Sequence, residues 1–304
     1  ANELRLNTLI NGGVSDQINP LLIRETLLRV MLGSSRSDEA AELFGPLMES
    51  EKELLVSWIK ASQRLPVGDS RKALQMIRPY LSGKTNLITY VEELSNLAQR
   101  SEQIEDLEDL KKIVSSLDQI SESDDTETQS RLLIVKSSIK RLERDLSVAI
   151  EYLDTVNDLT AQNDLESDSL KRLYCVALNN KALLQCELDP PDIDAALMNI
   201  DRAILVAPDS LLPSVYDSMS MILRKRGDCN LSIEALAKAA ELSENMNQRT
   251  GFNVSLVELM YECGNVEKAV ANSKVLQQYI YNNPRPDMSR LNRLEILITN
   301  GESR

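Results

Sequence analysis

One local pattern recurs through the whole chain and constrains it more than any other feature. A turn is followed by a polar helix-starter, then a small residue, then apolar residues four and seven positions further on. Gly68-Asp69-Ser70 leads to Ala73, Ile77 and Tyr80; Arg144-Asp145 to Ala149, Leu153 and Val156; Pro191-Asp192 to Ala196, Ile200 and Ala203. Gly227-Asp228 leads to Ser232, Leu236 and Ala239, and Gly264-Asn265 to Ala269, Ser273 and Leu276. Weaker copies start at Ser37-Asp38 (Ala40, Phe44, Leu47) and Glu105-Asp106 (Leu110, Val114, Leu117). The anchors Ala40, Ala73, Leu110, Ala149, Ala196, Ser232 and Ala269 are spaced by 33, 37, 39, 47, 36 and 37 residues. Seven copies at nearly one period describe an array of supersecondary units, each burying its apolar face against its neighbours.

Each part of the pattern has a physical task. Asp or Asn in the turn accepts from the free N–H groups of the first helical turn and complements the helix dipole. The small anchor lets the preceding helix approach closely, while the +4 and +7 positions share the inward face. Further amphipathic segments precede the anchored helices: Glu51–Arg64, Thr128–Leu142, Asp168–Leu188, Pro213–Arg226 and Thr250–Cys263. These are expected to be first helices of helical hairpins. Met288, Leu291, Leu294 and Leu297 fall at helical spacing and suit a C-terminal capping helix within 286–304. The stretch 121–130 is wholly polar and is expected to be a loop between divergent repeats in 1–120 and more regular ones in 131–285. The anchor spacing of 47 marks an insertion at Thr160–Ser169.

Composition narrows the chemistry. The 304 residues contain no histidine, which excludes Ser-His-Asp and Cys-His catalysis and a histidine general base. Neither GxxxxGK[ST] nor GxGxxG nor GxSxG occurs, and Gly83-Lys84-Thr85 lacks the upstream glycine of a phosphate loop and reads as a helix-ending turn. An enzyme is not expected, nor a cofactor or a metal site. The net charge of −13 argues against nucleic acid as a partner, and no apolar run is long enough to enter a bilayer. Cys175 and Cys186 are about 16 Å apart along one helix at about 1.5 Å per residue, too far for a disulfide. All four cysteines, with Cys229 and Cys263, are expected to be buried thiols. That favours the cytoplasm, with a periplasmic location after signal removal as the alternative.

The repeat resembles the tetratricopeptide-repeat (TPR) family. The resemblance is strongest over Ala177–Pro208, where Leu183-Leu184, the turn at Pro191-Asp192, and Ala196, Ile200, Ala203 and Pro208 fall on the family's signature positions. Pro213–Ala240 and Thr250–Leu276 follow, while the stretch before residue 130 is only suggestive. The period is longer than the family's 34 residues, the signature Trp is missing from the three best copies, and Leu184, Ser220 and Val257 replace the first-helix glycine. HEAT-like paired helices are the alternative. What the resemblance implies is an all-α solenoid, a right-handed superhelix of about seven hairpins, whose concave groove is lined by first helices. On this sequence the groove positions carry Arg131, Arg141, Lys181, Gln185, Asp217, Met221, Arg224, Lys225, Glu258 and Tyr261. The cations among them suit acidic groups on a partner, and Met221 and Tyr261 offer adaptable apolar contact.

Ser101–Ser130 holds ten acidic residues against Lys111 and Lys112, over half of the chain's net charge. It suits a basic partner or a solvated face. Two functional readings stand. The first is a non-catalytic scaffold that binds a peptide or partner protein in its groove. The second is a sensor or accessory repeat domain of a larger regulator or enzyme, such as a glycosyltransferase.

Overall fold

The computed structural model describes residues 20–34, 36–48, 52–62, 65, 67–81, 84–101, 104–118, 125–162, 167–282 and 287–302. Among them the regular structure is fifteen α-helices and one 3₁₀ turn, with no strand. In chain order they are α1 (Pro20–Gly33), α2 (Ser37–Met48), α3 (Lys52–Ser62), α4 (Val67–Ile77), α5 (Lys84–Ser101) and α6 (Ile104–Asp118). There follow α7 (Thr126–Leu142), α8 (Leu146–Ala161), α9 (Asp168–Glu187), α10 (Ile193–Val206), α11 (Leu212–Arg226) and α12 (Cys229–Leu242). The last are α13 (Met246–Glu262), α14 (Val266–Tyr281) and α15 (Met288–Glu302). Consecutive helices pair into hairpins as α1–α2, α3–α4, α5–α6, α9–α10, α11–α12 and α13–α14, and α15 packs on the last of these as the expected cap.

The repeat pattern explains where these helices sit. All seven anchors lie on second helices and are 0% exposed. The +4 residues Phe44, Ile77, Val114, Leu153, Ile200, Leu236 and Ser273 are all buried as well. At +7, Leu117, Val156, Ala203 and Ala239 are buried, whereas Leu47, Tyr80 and Leu276 keep part of their surface in solvent. Each buried aliphatic or aromatic side chain stabilises by roughly 1.5–3 kcal/mol, which is how helices of this modest length hold together.

The turns also follow from sequence. Gly227 (φ 93°) and Gly264 (φ 86°) take the left-handed conformation, and Arg144 (φ 65°) does the same in the equivalent turn. All three close one hydrogen-bond pattern: Asp145 N to Lys140 O, Asp228 N to Leu223 O and Asn265 N to Met260 O, at 2.8–2.9 Å. That is the Schellman closure, for which glycine is the residue without steric penalty. Helix starts are capped by side chains: Asp125 accepts from Thr128 N (2.9 Å), Asp192 from Ala195 N (3.1 Å) and Asn245 from Asn247 N (3.0 Å).

Contacts divide the chain into Ala1–Ala149 and Ile150–Arg304, with the division inside α8. The first unit has one continuous core around Trp58, Phe44 and Leu55, and the Trp58 indole donates to Ala73 O at 2.9 Å. First helices there pack on first helices, α1 on α3, α3 on α5 and α5 on α7. In the second unit α9 packs on α10 and α11, and α13 on α12, α14 and α15. Ser220 and Ser232 meet hydroxyl to hydroxyl at 3.0 Å in the α11–α12 crossing, and Ser232 also donates to Ser220 O at 2.7 Å. Small side chains on both helices give that crossing its close approach.

Two local expectations change. Lys84 and Thr85 open α5 rather than ending a helix, because the amphipathic run that follows needs its start there. Residues 126–130, expected in a polar loop, are the first turns of α7, since the Asp125 cap sets the helix start ahead of Thr128. Residues 119–124 lie outside the described residues.

Candidate partner-binding site

The ten groove residues inferred from the sequence lie on four first helices, α7, α9, α11 and α13, and most of their polar groups are already bonded. On α7, Arg131 grips Glu92 of α5 through Nε–Oε1 (2.7 Å) and Nη2–Oε2 (2.6 Å) and donates to Thr89 Oγ1 (3.1 Å). The Glu92 carboxylate raises the Arg131 pKa further above the usual range, so this cation is fixed. Arg141 is half-buried in the last turn of α7.

In the second unit the same holds repeat by repeat. Lys181 Nζ binds Asp154. Gln185, 8% exposed, accepts from Asn199 Nδ2 at 2.8 Å. Lys225 Nζ reaches back to the Cys186 carbonyl at the end of α9, where a cation complements the helix dipole. Arg224 reaches forward to Glu262 of α13 (2.6 Å), and Glu258 is held by Arg293 of α15 (Nε–Oε1 2.6 Å). Tyr261 packs half-buried on the core of α13–α15. Asp217 and Met221 differ. Met221 is 57% exposed. Asp217 is half-buried, no hydrogen bond or ion pair joins its carboxylate to another described residue, and burial pushes that carboxyl above the usual range.

The acidic segment is partly tied down too. Lys111 bonds Glu108 (3.0 Å) and Glu143 (2.7 Å), and Asp125 is the α7 cap, held below the usual carboxylate range first by the Thr128 N–H. Glu102, Glu122 and Asp124 lie outside the described residues. Among the described residues no group of acids and cysteines is arranged to hold a metal ion. No helix among them is long and apolar enough to cross a membrane.

Two features escaped the sequence reading. The first corrects it: Cys229 and Cys263 form a disulfide, with Cα atoms 5.8 Å apart. Cys229 follows the Gly227-Asp228 turn and Cys263 precedes Gly264-Asn265, a separation of 34 residues, three short of the 37 between the two turns. Residues that flank equivalent turns lie side by side on neighbouring hairpins, and that placement was the available signal. Cys175 and Cys186 are buried thiols as expected, and burial pushes Cys175 up to about 11.

The second feature is a pair of clefts at the C-terminal end. One, of about 470 Å³, runs between α13 and α14 past Met246, Arg249, Asn253, Leu256, Val275 and Tyr279. The other, of about 560 Å³, lies between α14 and α15 beside Tyr281, Met288 and Leu291. Val275 is 70% and Tyr281 71% exposed.

No family model matches the sequence, and no curated protein matches it. Solved structures do. BtubC (BKLC) from P. vanneervenii is similar at a TM-score of 0.50 and 17% identity, over 77% of this chain and 96% of that one. The apo form of RapI is similar at 0.52 and 12% identity, over 94% of this chain and 86% of that one. At such identities the likeness is one of fold: the chain has an all-α, TPR-like helical-repeat architecture.

Proposed function

We propose that the chain is a non-catalytic interaction scaffold, and that residues 150–304 carry the surface on which a peptide or partner protein binds. The observation that carries this reading is the distribution of exposed apolar side chains. Among the described residues, Met198, Leu205, Met221, Leu231, Met246, Val275, Tyr279, Tyr281, Met288 and Ile296 are exposed in the second unit, against Val30 alone in the first. Apolar surface gathered on one part of a molecule marks an interaction site, and methionines suit a surface that adapts to its ligand. Both C-terminal clefts lie in the same unit. The fold likeness to RapI supports a helical-repeat scaffold. The absence of histidine from the chain weighs against the commonest acid–base catalysts.

The test is affinity capture from a lysate of the source organism, with wild-type chain, Met221→Glu, and Val275→Glu/Tyr279→Glu, each checked for helix content by circular dichroism. A peptide or protein held by the wild type and lost by one folded variant supports the reading. Identical retention by all three refutes it.

A further inference from the structure

We propose that Asp217 and Met221 of α11 form a receptor for one basic side chain, lysine or arginine, of the bound partner. This rests on the scaffold reading and reverses the charge preference expected from the sequence.

The argument compares equivalent positions across the last three repeats. Lys181, Asp217 and Val254 occupy one register position of α9, α11 and α13. Lys181 is bound to Asp154 and Val254 is 0% exposed, leaving Asp217 as the only one of the three with an available polar group. One helical turn on, Gln185 is buried against Asn199 and Glu258 is held by Arg293, leaving Met221, 57% exposed. Further along α11, Arg224 and Lys225 are drawn to Glu262 and to the Cys186 carbonyl. The cations that would have welcomed an acidic ligand are therefore bonded within the chain. A carboxylate is the group left open.

Asp217 and Met221 stand four residues apart, on one face of α11. Among the described residues no cation acts on the Asp217 carboxyl, and its oxygens are not among the buried atoms that lack a partner. They therefore reach solvent while the rest of the side chain is half-buried. A lysine or arginine fits this pair in both its parts: its aliphatic stem lies along the Met221 thioether, and its head donates to Asp217. A ligand carboxylate at the same place would meet a like charge. Keeping a half-buried acid unpaired is unfavourable for the free protein, a penalty relieved when a cation binds.

The test uses the full chain as bait for a displayed library of random 12-residue peptides, with wild type, Asp217→Asn and Met221→Ala selected in parallel. Wild-type selections are expected to be enriched in Lys and Arg over the input. Asp217→Asn should remove that enrichment and weaken the best wild-type peptide by at least about tenfold, the loss of one charge-assisted hydrogen bond. Its denaturation midpoint at neutral pH should stay level or rise, which separates lost recognition from lost folding. Enriched peptides without basic residues, or equal affinity for Asp217→Asn, overturn this inference and leave the scaffold reading standing. A pool with no enrichment over bare resin overturns both.

Discussion

Breaking the bond between Cys229 and Cys263 tests how the last two hairpins are held together. The bond closes a loop with a sequence separation of 34, between the start of α12 and the end of α13. In the chain-entropy description, a loop of that size removes about 12–13 cal/mol/K from the unfolded ensemble, or ~4 kcal/mol at 25 °C. Both cysteines are only half-buried, so Cys229→Ser/Cys263→Ser adds little desolvation cost of its own. With a urea slope of ~2 kcal/mol/M for a unit of this size, the midpoint should fall by roughly 2 M. Reductant should lower the wild-type midpoint equally and leave the variant unmoved. Hydrogen exchange should speed up first in α12 and α13, because each repeat draws its stability from its immediate neighbours. Thiol titration of the denatured, untreated protein should count two thiols, Cys175 and Cys186. Four thiols would show that the bond does not form. Two thiols with coincident urea curves would refute the loop-closure reasoning itself.

Three further outcomes are expected. Arg144→Gly should stabilise by about 0.5–1 kcal/mol in chemical denaturation, since relief of the left-handed strain exceeds the entropy cost of glycine there; an unchanged midpoint would mean the turn relaxes around Arg144. Replacing Ala196 or Ala269, each 0% exposed, with Leu should overpack its hairpin and cost roughly 1–3 kcal/mol, while no loss would place those anchors outside the tight crossings. Cys175, pushed by burial up to about 11, keeps its proton in the folded state at pH values where the unfolded thiol loses it. Stability should therefore fall as pH rises from the ordinary thiol range toward 11. Cys175→Ala, lower at neutral pH because of its cavity, should lose that part of the alkaline slope, and equal slopes would refute the assignment.

The architecture was legible because its determinants are local and repeated. Turn glycines, Asp and Asn caps and small anchors each act within one hairpin, so the spacing of Ala40 through Ala269 located all seven second helices before any contact was known. Boundaries slipped where a single cap decided them, as at Asp125, which starts α7 inside a stretch that looked like loop. The disulfide was missed because the cysteines were compared along one helix and not across one repeat. In a stacked array the nearest neighbour in space is the residue one period away.

The same geometry explains why most of the groove's cations are bonded within the chain. Arg131 meets Glu92 at a separation of 39, Lys225 meets the Cys186 carbonyl at 39, and Arg293 meets Glu258 at 35. Each separation is close to one repeat: Arg131, Arg224 and Lys225 find their partners on the neighbouring first helix, while Lys181 binds Asp154 of α8. Such pairs, partly exposed, are individually worth little, about 0–1 kcal/mol, yet each occupies a donor that would otherwise face the ligand. A cation on a first helix thus faces a partner only when no acid or helix C-terminus lies one period away. Applied along α11, that rule removes Arg224 and Lys225 and leaves Asp217. The chain's net charge of −13 works in the same direction, drawing a basic segment toward the surface before any contact forms. Association should then slow with added salt, whereas an acidic partner would associate faster as salt screens the repulsion.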